Sequence, residues 1–182
     1  MLPTVLLLLL WAAPTSVEEA ETLFRKYVEA IKAGNQEEAL GYWSHEEIQA
    51  YGPDCVDWQL TILREQTDIS ALTANITSAT STQDYVELVV EWRDKENEVV
   101  RKETRYFVRE DGRLVCANPV KVHTKGWPEK ESKYVVYHAR EEDQPEDAVL
   151  TEIDRFCEEI SRRLGVSLKR KIHCYKTDSP DE

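Results

Sequence analysis

The sequence predicts an α+β fold: N-terminal helices packed on a curved, cone-like antiparallel sheet, followed by a small strand–helix–strand unit. Three observations carry this. Apolar residues recur at helical spacing through the first third of the chain, beginning with Leu23, Phe24, Tyr27, Val28 and Ile31. From about residue 70 the pattern becomes strict alternation, with Val86, Leu88, Val90 and Trp92 on one side of a strand and charged residues on the other. Near residue 133 the order restarts as a strand, a long helix and a strand.

Each element has its own signals. Ser16 and Glu19 have capping-box spacing ahead of the first helix, and Gly34 ends it. Asn35 caps a short helix over 36–42, and Ser44 with Glu47 caps a third. Pro53 opens a fourth helical stretch carrying Val56, Leu60 and Leu63. The run LTANITSATST leads into the strand DYVELVVEWR, DKENE turns the chain, and VVRKETRYFVR is the next strand. EDG marks a hairpin, from which RLVCANPVKVH returns as a strand. The stretch TKGWPEKESK, with Gly, Pro and charge, reads as a linker over 124–132. It separates a domain over 16–123 from a unit over 133–182. In that unit KYVVYHA and LKRKIHCYK are strands, and the helix between them has the apolar stripe Val149, Ile153, Phe156, Cys157, Ile160 and Leu164, ending at Gly165. The last residues, SPDE, again have capping-box spacing, so the chain is expected to be the front part of a longer protein.

Composition narrows the function classes. A hydrophobic fraction of 41% with five Trp in 182 residues supports a packed globule. A formal charge of −12 excludes a phosphate-binding surface, and with it nucleic acid as a partner. The apolar run over 5–13, followed by small residues, has the pattern of a signal peptide over 1–15 and is too short for a stable membrane span. The expected location is therefore secreted or periplasmic. In such a compartment Asn75-Ile76-Thr77 is a glycosylation sequon if the source is eukaryotic. The four cysteines have no zinc-site spacing. Cys157 lies on the helix stripe and Cys174 shares strand parity with Ile172, so this pair is the disulfide candidate, free buried thiols being the alternative. No two histidines share metal-ligand spacing, and no cofactor or metal is expected.

The segment AETLFRKYVEAIKAGNQEEALGYWS, together with YFVREDGRLVCANP, resembles the nuclear transport factor 2-like (SnoaL-like) superfamily over 17–123. That resemblance implies a cone with a pocket, in which Trp43, Tyr51, Trp58, Trp92 and Tyr106 would line a site for a small apolar ligand. It also implies an open sheet face through which a homodimer could form. An isomerase or hydratase in such a pocket needs a carboxylate base near a hydroxyl donor, for which Asp54 or Asp57 and Tyr42, Tyr85 or Tyr106 are the available residues. The strand Lys133-Tyr134-Val135-Val136-Tyr137-His138 and the later Ile172-His173-Cys174-Tyr175 resemble the start of a gluzincin-type metallopeptidase domain, but HExxH is absent from the chain. The reading that follows is a binding or dimerisation module with no catalytic residues of its own. The alternatives are an isomerase-type enzyme, or the front of a zinc peptidase whose active site lies downstream.

Overall fold

A computed structural model describes residues 16–54, 56–57, 60–61, 63–64 and 67–177. The predicted signal peptide, Trp58 and the final capping box lie outside the described residues. Helix α1 (Val17–Lys32) begins at Ser16, whose hydroxyl accepts from the Glu19 N–H. The Glu19 carboxylate does not close the box; it pairs with Arg109 at 2.5 Å. α2 (Gln36–Leu40) and α3 (His45–Tyr51) follow, capped by Asn35 and Ser44 as their spacing predicts.

Strands β1 (Thr73–Ser81), β2 (Tyr85–Arg93), β3 (Val99–Glu110) and β4 (Arg113–Ala117) form a four-stranded antiparallel meander. The β3–β4 turn consists of Asp111 and Gly112, at φ 51° and 79°. Two successive left-handed residues match the twist of a two-residue hairpin, which is why EDG closes it. Val86, Leu88, Val90 and Trp92 are fully buried on the inner face, beneath Phe24, Tyr27, Val28 and Ile31 of α1. The helices-on-sheet architecture is thus the one the alternation predicts.

Residues 118–123 differ from expectation. They form not the end of a strand but a short helix, α4 (Pro119–His123), with Asn118 at its N-cap position and Pro at its start. α4 covers the outer face of β3, where His123 meets Tyr106 at 3.2 Å. Part of the face expected to be open is therefore occupied.

Within the stretch read as linker, Glu129–Glu131 forms β5. It pairs antiparallel with β6 (Val135–His138), which pairs in parallel with β7 (Ile172–Tyr175), and α5 (Asp147–Leu164) makes the crossover. Val135, Leu150 and Cys157 fill the layer between α5 and this sheet. The rest of the predicted stripe is not core: Phe156 is 63% and Leu164 69% exposed. A helix of 18 residues is roughly 27 Å long, whereas four-residue strands reach roughly 13 Å. The small sheet cannot cover it. Cys157 and Cys174 both face this layer, as parity predicts, but they are free thiols, so the candidate disulfide is not formed in this structure. Burial pushes the Cys174 thiol up, and Cys157 adds to it.

No described helix is long and apolar enough to cross a membrane.

Candidate functional site

Among the described residues, side chains fill most of the interior of the cone. Trp92 is completely buried, and its indole N–H donates to Glu103 Oε1 at 2.9 Å. That carboxylate also holds Arg105 at 2.7 Å, and Arg105 reaches Asp57 at 2.9 Å. Asp57 further accepts from the Tyr27 hydroxyl and from the Leu60 N–H at 3.0 Å. Every strong acceptor of the predicted base is therefore engaged, and its partner is a buried guanidinium. The predicted donors lie elsewhere. Tyr42 bonds Glu38 at the surface, while Tyr85 and Tyr106 pack edge to face on the outer side of the sheet. Asp54 is exposed. A cavity of about 200 Å³ borders Tyr27, Trp43 and Asp57.

The four described aromatics of the predicted pocket lie in different places. Trp43 and Trp92 belong to the core, Tyr106 lies on the outer sheet face, and Tyr51 faces a different cavity. Trp58 is outside the described residues.

Tyr51 opens onto a cleft of about 410 Å³ between the two units. One wall is α3. Trp43 bridges Cys116 of β4, and the Ser44 N–H donates to the Cys116 carbonyl at 2.9 Å, which fixes where α3 starts. Glu110 supplies a second cap, accepting from the Ser44 hydroxyl at 2.5 Å and the His45 N–H at 2.9 Å. Glu47 and Tyr51, one turn apart, then face the cleft. Gly52 ends the helix at φ +92°, where a Cβ would collide with the Arg170 guanidinium of the second unit. The positive φ is what favours glycine here, since the tip of the Arg170 side chain can move aside.

The other wall is the face of the small sheet opposite α5. Glu129, His138 and Tyr175 are cross-strand neighbours there, with His173 two residues before Tyr175. His138 Nδ1 lies 3.4 Å from Glu129, and its Nε2 lies 2.9 Å from His173 Nδ1. The two imidazoles are tilted by only 20° with centroids 5.1 Å apart, the arrangement of an in-plane N–H···N bond. The Glu129 charge, 3.4 Å from Nδ1 with no hydrogen bond between them, favours the His138 tautomer that is protonated on Nδ1 and accepts at Nε2. His173 must then donate from Nδ1, which leaves a lone pair on its Nε2. Tyr175 stacks on His138 at 4.2 Å, Tyr51 meets His173 edge-on at 5.3 Å, and the two tyrosine hydroxyls bond each other.

Burial lowers the pKa of both histidines, against the opposing pull of Glu129. A depressed histidine contributes stability that is complete above its unfolded value of 6.5 and is lost as the pH falls below it. Ring-proton NMR titrations are expected to give midpoints below 6.5 for both rings; a midpoint above it would contradict the pairing.

Glu47 is 3% exposed. Both of its oxygens accept from the Asn118 N–H, at 3.1 Å each, and the Asn118 side-chain amide also favours the charged form. Desolvation lifts its pKa to about 7, although Asn118 and Lys121 pull it down. The nearby Lys121 ammonium is occupied by Ser44, Glu46 and Glu110. No group of three metal-ligating side chains occurs among the described residues. Sequence reading missed Glu47, Glu129, His138 and His173 as a set; the shared parity of His173 and Tyr175 was the available signal.

No family model and no curated relative matches the chain. Among solved structures it is similar to AclR from Streptomyces galilaeus, a candidate hydroxylase, at 16% identity and a TM-score of 0.31, over 65% of this chain and 91% of that one. That degree of likeness says nothing of activity.

Proposed function

We propose that the chain is a non-catalytic binding module whose ligand sits in the cleft between its two units, not inside the cone. The observation that carries this reading is Glu47, a buried carboxylate kept beside a 410 Å³ cleft without a cation of its own. Such a group opposes folding, and ionisable groups of this kind concentrate at functional sites. The isomerase alternative has less support, because Asp57 is committed to Arg105 and the predicted tyrosines face away. The peptidase resemblance rests on strand–helix–strand order and adds no residue to this cleft.

Export through the N-terminal segment belongs to the same proposal, and the mass of the mature N-terminus tests it. Self-association would use the part of the outer sheet face that α4 leaves uncovered, around Glu87, Val89 and Glu91, and sedimentation equilibrium measures it. The cleft itself is tested by recording amide spectra against a set of soluble fragments of mixed charge. Shifts concentrated at Ala50, Tyr51, Thr124, Gly126 and His173 are expected. Shifts concentrated at Tyr27, Trp43 and Leu60 would overturn the reading in favour of the cone.

A further inference from the structure

We infer that the occupant of this cleft is a hydrogen-bond-donating organic cation, such as the head of a primary amine. The inference rests on the cleft being the binding site and follows from its donor and acceptor inventory. Lys121 and Lys125 both line the cleft, and each already has a carboxylate partner. Lys121 is held by Ser44, Glu46 and Glu110, and Lys125 lies 2.5 Å from Asp84. The Asn118 N–H is spent on Glu47.

Apart from the one hydroxyl hydrogen that the Tyr51–Tyr175 pair leaves over, what remains open is acceptor. The Glu47 carboxylate has only Asn118 as its hydrogen-bond partner, and Glu129 is 55% exposed on its side chain, with one oxygen near His138. With His138 accepting at Nε2, His173 donates from Nδ1 and its Nε2 lone pair stays open. An anion would meet carboxylates with no unpaired cation opposite them. A neutral apolar molecule would leave these acceptors desolvated, at a penalty for each.

The aromatic lining agrees with a cation. Tyr51, Trp127 and Tyr175 border the cleft, and ring faces attract positive charge. Trp127 already holds one such group, the Arg140 guanidinium, 5.4 Å from its ring centroid.

A cation placed beside Glu47 favours its ionised form, so binding must expel the proton that burial retains. With the free carboxyl titrating at about 7, roughly half a proton should leave per ligand bound at pH 7.

The probes are n-butylammonium, n-butanol and n-butyrate, which share a tail and differ in the head. Amide spectra locate binding, and calorimetry in two buffers of different ionisation enthalpy counts protons. Butylammonium is expected to shift the cleft amides, to bind more tightly at pH 8 than at pH 6, and to release protons at pH 7. Glu47→Gln should weaken it by about tenfold or more and abolish the proton release. The butanol and butyrate arms separate this inference from the reading beneath it. If either occupies the cleft more tightly than butylammonium, the cation assignment falls while the cleft stands as the site. If none of the three moves the cleft amides, the assignment also falls, and the mixed-charge fragment survey decides the cleft itself.

Discussion

Replacing Arg105 with leucine is expected to lower unfolding free energy by about 3–5 kcal/mol, the usual result of removing one partner from a buried ion pair. Arg105 is 4% exposed and joins Glu103 on its own strand to Asp57 in the turn after α3. Without it two carboxylates lose their main counter-charge inside the cone. Glu103 keeps the Trp92 indole and Arg101 at 3.3 Å, while Asp57 keeps Tyr27 and the Leu60 N–H. Those contacts do not neutralise a second negative charge. Urea denaturation measures the loss through the midpoint at constant slope. Replacing Asp57, Glu103 and Arg105 together by apolar residues of similar volume should recover much of it, because the deficit comes from stranded charge. A single-variant loss below about 1 kcal/mol would mean that the network behaves as an exposed one.

The second large effect has the opposite sign. Glu47→Gln is expected to stabilise the protein at pH 8 and leave it nearly unchanged at pH 4. The folded pKa is raised, from 4.5 to about 7. Below 4.5 the carboxyl is protonated both folded and unfolded, and burial carries no charge penalty. As the pH rises to 7 the unfolded chain loses its proton first, so stability falls across that window and stays low above it. A shift of that size corresponds to about 3 kcal/mol at pH 8. Glutamine keeps an acceptor for the Asn118 N–H and removes the charge. The difference between variant and parent, followed from pH 4 to pH 8, isolates this group from the histidines, which act in the reverse direction. A residue that destabilises the free protein in this way but anchors a ligand is the trade expected at a binding site.

How much of this was readable follows from where the information lies. Val86, Leu88, Val90 and Trp92 announce their strand because period-two alternation is local, and EDG announces its turn for the same reason. Ser44 and Glu47 likewise mark the start of α3. By contrast, residue type alone groups the aromatics, and nothing local separates Trp92, which faces the core, from Tyr106, which faces α4. The segment ANPVKVH carries both a strand-like alternation and an Asn-Pro helix start, and the packing of His123 on Tyr106 decides between them. The cleft was the least legible feature. His138 and His173 are 35 residues apart, and Glu47 meets Asn118 across 71. Only the parallel pairing of β6 with β7, and the docking of their sheet on α3, bring these groups together.

The most direct test of the account is the titration of one carboxyl. With the glutamate side-chain carboxyls labelled with carbon-13, Glu47 in the free protein is expected to titrate with a midpoint of about 7. A midpoint at or below 4.5, the ordinary value for a glutamate, would show a solvated or paired carboxylate and contradict the cleft as a site waiting for a cation.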